Sequence, residues 1–230
     1  MKGNTVIVIA LAVVVMALIS VFIYYSFLNT KEATLNTALN IVTSSAPAFD
    51  QSLSDGTITI SYPSSEFSLA ATQEQLLLLS YIPPCDQGFD YCLYYSTSTY
   101  KGTNFESAGI GILNLNKTMP SAGSCLNAPP EGYTGLHPVA TTSTPNYSVS
   151  MFSPLGNAAM GHYASDVVYR LEYKGKCYQF DARIGETQFA NYPPGAIKLF
   201  TANDYSTVKS ELLDILGTLT LPGGEKVILP

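Results

Sequence analysis

Residues 166–183, DVVYRLEYKGKCYQFDAR, decide the fold. Val167, Tyr169, Leu171 and Tyr173 recur at period two, Lys174-Gly175 turns, and Tyr178, Phe180 and Ala182 line up on the return. Alternating aromatic and branched residues around a Gly-containing two-residue turn predict an antiparallel hairpin. Upstream, 105–115 (FESAGIGILNL) and 89–95 (FDYCLYY) predict two further strands, the second with Tyr91, Leu93 and Tyr95 on one face. Gly109-Ile110-Gly111 predicts a bulge or a close backbone approach. Earlier still, Asp55-Gly56 turns into a β-branched strand at 57–62, and Pro63-Ser64-Ser65 turns again so that 67–70 pairs back on it. Thr72 with Gln75 reads as a capping box for one helical turn, and the apolar run 76–82 as a buried strand.

Downstream, Asn203 caps a predicted helix over 204–216, with Tyr205, Val208, Leu212, Ile215 and Leu216 as its apolar stripe and Gly217 as its end. A short strand at 218–221 and a Pro/Gly tail at 223–230 follow. Between the central strands, 116–146 is rich in Pro, Gly, Ser and Thr and reads as one long loop, pinned by Cys125 and suited to a contact surface. Many strands, a late helix and little βαβ alternation give an α+β class with a mainly antiparallel sheet and a C-terminal amphipathic helix, spanning 56–222.

The N-terminus has a different composition. Residues 5–28, TVIVIALAVVVMALISVFIYYSFL, carry no charge and no proline. As a helix they reach about 36 Å, against a hydrocarbon core of ~30 Å. This predicts a transmembrane signal anchor over 1–28, uncleaved, with the lipid bilayer as its partner. A helical stalk follows over 29–55, with Leu35, Leu39 and Val42 at helical spacing. The cysteines beyond the span place the N-terminus in the cytoplasm and the body outside it, periplasmic or extracellular, where other envelope or cell-surface proteins are available partners. The start, MKG before an apolar helix, also resembles a prepilin leader cut after Gly3, which implies a type IV pilin-like subunit. Such proteins carry Glu at the fifth mature position, where this chain has Val8.

Charged residues are only 12% of the chain, the net charge is −6, and no basic stripe occurs, which excludes nucleic acid as a partner. Four cysteines allow three pairings. Cys85–Cys92 closes a short loop containing Gly88, and Cys125–Cys177 ties the long loop to a strand; this is the pairing expected. A zinc site would need CxxC-like spacing or nearby His, and neither is present.

The segments SYPSSEFSLA (61–70) and LLDILGTLTL (212–221) resemble the two ends of PsbP/Mog1-like domains. That resemblance implies an α/β/α sandwich in an exported protein, and lends no site residues. YIPPCDQGFDYC, TNFESAG and the cysteines depart from the family pattern.

For chemistry, His162 lies four residues before Asp166, so a Ser–His–Asp hydrolase is one candidate, although no G-x-S-x-G elbow and no HExxH occurs. His137 sits in the long loop. Gly109-x-Gly111 lacks the third glycine of a dinucleotide fingerprint, and no cofactor motif is found. The acids Asp86, Asp90, Glu106, Asp166, Glu172 and Asp181 form no recognisable pair in sequence. Tyr91, Tyr95, Tyr169 and Tyr173 could line a sugar- or peptide-binding face or serve as strand residues. Asn116 and Asn146 fit glycosylation sequons. The reading that follows is a membrane-anchored, non-catalytic binding or structural module, with a pilin-like subunit and a His162 hydrolase as alternatives.

Overall fold

The computed structural model describes residues 48–70, 81–85, 88–116 and 122–230. Eleven strands are found there: β1 (Gln51–Ser54), β2 (Thr59–Tyr62), β3 (Phe67–Leu69), β4 (Tyr91–Tyr95), β5 (Phe105–Asn114), β6 (Ala140–Ser143), β7 (Tyr147–Ala159), β8 (His162–Tyr173), β9 (Lys176–Thr187), β10 (Thr220–Leu221) and β11 (Glu225–Lys226). Two α-helices join them, α1 (Ala122–Asn127) and α2 (Ala202–Leu216). Seven strands form one antiparallel sheet in the order β3-β4-β5-β9-β8-β7-β6, and the rest form a small sheet, β1-β2-β10-β11.

The β8–β9 hairpin is the centre of this arrangement. Lys174 and Gly175 both have positive φ, 50° and 77°, the backbone of a type I′ turn whose twist matches that of the strands. From it the pairing runs without a break from Tyr173↔Lys176 to His162↔Thr187. Each strand has two faces. The core face gathers Tyr169, Leu171, Tyr178, Phe180, Ile110, Ile112 and Leu93, all at most 4% exposed. Against it lie the α2 stripe, Val208, Leu212, Ile215 and Leu216, and Ile60 of the small sheet.

The predicted tyrosine surface is part of this core. Tyr95, Tyr169 and Tyr173 are buried and Tyr91 is partly buried against them, because the face they share is the one α2 covers.

Several expectations are corrected. The fold is an antiparallel β structure with two helices among the described residues, one of them six residues long, and not an α+β body of the α/β/α sandwich kind. Residues 51–54, assigned to the stalk, are a strand paired with β2. β3 joins β4 in the large sheet rather than returning on β2, since Glu66 and Phe67 both bond to the Pro63 carbonyl and the chain swings away. Its place beside β2 is taken by β10. The 116–146 stretch holds α1 and β6, and the tail forms β11, with Val227 2% exposed. The cap of α2 is Thr201, not Asn203, because Thr201 and Asp204 satisfy each other's backbone N–H in a capping box.

Among the described residues no helix is long and apolar enough to cross a membrane. To that extent the expectation of a single-pass protein with an extracytoplasmic C-terminal domain is corrected: no spanning helix stands among the described residues. The 5–28 span, the 29–47 part of the stalk, the prepilin-like start, the capping box at Thr72 and residues 76–80 of the apolar run lie outside the described residues.

The glycine pair in β5 marks close approach. A Cβ on Gly109 would sit 2.7 Å from the Leu93 carbonyl oxygen, and one on Gly111 would sit 2.7 Å from the Phe89 ring. The bulge in β5 lies earlier, between Phe105 and Ser107.

Candidate functional site

The opposite face of the large sheet, called here the far face, carries the side chains that alternate with the core tyrosines. On β8 these are His162, Asp166, Val168 and Arg170, and on β9 Cys177, Gln179, Asp181 and Arg183. α1 and the chain that follows it cover one end of this face. Cys125 of α1 is bonded to Cys177 of β9, with Cα atoms 5.7 Å apart. The second disulfide, Cys85–Cys92, fastens the 81–85 segment to β4.

Arg170, 1% exposed, anchors the same end. Its Nη1 donates to the Ala128 carbonyl at 2.8 Å and to that of Cys125 at 3.4 Å, Nη2 donates to Pro129 O at 3.3 Å, and Nε donates to Gln179 Oε1 at 3.1 Å. The carbonyls left over at the end of a helix are thus met by a cation, the favourable sign there. Burial lowers the guanidinium's pKa to about 10. Farther along, Asp166 accepts from Arg183 Nε at 2.8 Å, and Asp181 lies 3.7 Å from Arg183 Nη2.

His162 lies at the other end. Its Nδ1 is 2.8 Å from Glu106 Oε2, and the Tyr81 ring stacks on the imidazole with centroids 4.1 Å apart. The bulge in β5 explains this placement. It lets two consecutive residues reach the same segment. Glu106 Oε1 accepts from the Ile82 N–H at 2.8 Å, and Ser107 Oγ donates to the Ile82 carbonyl at 2.6 Å. Both backbone groups of Ile82 are clamped, and Tyr81 is delivered onto His162.

Two cavities open between these ends. One of about 440 Å3 is bordered by Tyr81, His162, Asn157, Glu131, Tyr133 and Arg183. The other, about 340 Å3, is bordered by Phe89, Asp166, Arg170 and Asp181 and shares Glu131, Tyr133 and Arg183 with the first. Both volumes fall in the range of small-molecule or side-chain sites. Along one margin the sheet itself is open. β6 pairs with β7 only from Ser148 to Met151, so among the described residues 156–159 have a strand neighbour on the β8 side alone. These residues are exposed.

The residues singled out by sequence are dispersed. His162 lies in the larger cavity, but Asp166 is held by Arg183, and among the described residues no hydroxyl donates to His162; a Ser–His–Asp arrangement through Asp166 is not formed. His137 is exposed in the chain before β6. Asp90 accepts from the Asn114 N–H and Glu172 from the Gly175 N–H, both local structural roles. Asp86 lies outside the described residues. Asn116 Oδ1 accepts from the Cys177 N–H at 2.6 Å, while Asn146 is exposed and donates to the Glu225 carboxylate. Among the described residues no group of three or more His, Cys, Asp or Glu is arranged to hold a metal ion.

Sequence reasoning passed over Tyr81, Glu131, Tyr133 and Arg183. The available signal was the charge on the second face of β8 and β9, which looks like an ordinary wet surface until the 128–136 chain is placed over it. Compared with protein-family models and with curated proteins, the chain matches none.

Proposed function

We propose that this domain is a non-catalytic binding module that takes up an extended peptide along the open margin of β7. The observation that carries this reading is the conjunction of a strand edge at 156–159, unpaired among the described residues, with a cavity of about 440 Å3 opening beside it. An added strand gains backbone hydrogen bonds from such an edge, and every second side chain of the guest turns toward one face, where a pocket can select it. Asn157 and Ala159 share the His162 face of the sheet, so alternate guest side chains there point over the larger cavity.

The test is hydrogen exchange across the chain with and without β-prone, uncharged heptapeptides. Slowed exchange confined to 152–160 supports edge addition. Unchanged exchange there at saturating peptide, or protection confined to the β3 edge, overturns it.

A further inference from the structure

We infer that the cavity under Tyr81 is a pocket for a cationic side chain, lysine or arginine, of the bound peptide. This rests on the peptide-binding reading above.

Charge at the site favours a cation. Among the charged groups that border the two cavities, Glu131, Asp166 and Asp181 stand against Arg170 and Arg183, a surplus of one carboxylate, and His162 is held by Glu106. Most of these charges are already engaged: Arg183 with Asp166 and Asp181, Arg170 with carbonyls, and Glu106 with His162. Glu131 is the exception. It is exposed, borders both cavities and forms no ion pair among the described residues. An anionic guest would meet that surplus. An apolar guest would desolvate Glu131 without giving it a partner, which is costly.

The rings supply the second reason. Tyr81 lies on His162 with one face, yet is 64% exposed, so its other face is open to a guest. A cation over a tyrosine face gains the ring's quadrupole attraction. Tyr133 stands in the shared wall beside Glu131. A carboxylate and an aromatic face at one cavity suit an ammonium or guanidinium group at the end of an apolar stem. The net charge of −6 would also steer a basic partner in from a distance.

The probes are labelled heptapeptides Thr-Val-Thr-X-Thr-Val-Thr, with X as lysine, arginine, norleucine or glutamate, followed by fluorescence anisotropy at roughly 50 mM and roughly 300 mM salt. The lysine and arginine peptides are expected to bind about tenfold tighter than norleucine at low salt, in keeping with an ion pair plus a cation–ring contact. That preference should shrink at high salt, and the glutamate peptide should bind weakest. Glu131→Gln and Tyr81→Leu, both at exposed positions, should each remove most of the preference while leaving the thermal melting of the protein unchanged. Norleucine binding as tightly as lysine, with exchange still slowed at 156–159, refutes the cation pocket and leaves edge addition standing. A lysine preference that survives in Glu131→Gln also refutes it. No binding by any of the four peptides overturns both readings.

Discussion

Replacing Arg170 by alanine gives the sharpest test of how the far face is held. The side chain donates to three carbonyls at and beyond the end of α1 and to Gln179. It also sits 5.7 Å from the centre of the Phe152 ring. Bonds from a charged donor are worth about 1.5–3 kcal/mol each, but the two longest here, at 3.3 and 3.4 Å, lie at the weak end. Against them stands the several kcal/mol that desolvating a guanidinium costs, which the substitution relieves. The balance is a loss of ~2–4 kcal/mol, or roughly 10 °C in Tm for a domain of this size. The Cys125–Cys177 bond, closing a sequence separation of 52, holds the same helix and is worth about 4 kcal/mol on the chain-entropy estimate. The two losses should therefore fall short of additivity. Once the disulfide is replaced by two alanines, α1 detaches readily and Arg170→Ala should cost about half as much. Thermal and urea unfolding of the four variants in this cycle measures the coupling. A single Arg170→Ala variant within about 0.5 kcal/mol of the parent, or losses that add fully, would refute this account of the far face.

Two further outcomes follow from other parts of the fold. Gly109→Ala forces a Cβ against the Leu93 carbonyl at 2.7 Å and the Pro84 side chain at 2.9 Å, so urea unfolding should show a loss of ~1–3 kcal/mol, whereas an effect near zero would mean β4 and β5 are farther apart. Glu211 on α2 has its carboxyl pKa raised, by burial first and then by Glu66 and Asp214 nearby. The folded state therefore binds this proton more readily than the unfolded chain does, and stability from this group rises as pH falls from neutral through the raised pKa toward 4.5, then levels off. Glu211→Gln should raise Tm at neutral pH and flatten the pH dependence in that window, and an unchanged profile would contradict it.

How much of this was legible in the sequence depends on which interaction did the organising. The β8–β9 hairpin could be read because its turn and its alternation are local, and the α2 stripe because helical spacing is local too. The cysteine pairs followed from the loops they close. β1, the partner of β3 and the strand in the tail could not be read, because each is short and owes its conformation to a neighbour distant in the chain. Alternation in β8 and β9 predicted one buried face. In β9 every residue from Cys177 to Ile184 is buried, since α1 and the chain after it cover the second face as well. Nothing in the spacing of Asp166, Arg170 and Arg183 reveals that cover. The tyrosines, read as a possible ligand platform, belong to the core for the same reason: period two marks a face and leaves its neighbour unnamed.

The strand order also bears on biosynthesis. β5 lies between β4, which precedes it, and β9, which begins 62 residues after β5 ends. At a ribosomal pace of about 5–20 residues per second, the nascent β5 waits on the order of 3–12 s before its second neighbour has even started to emerge. For that interval an apolar strand edge is bare, and whatever shields it, chaperone or non-native pairing, acts before the sheet can close.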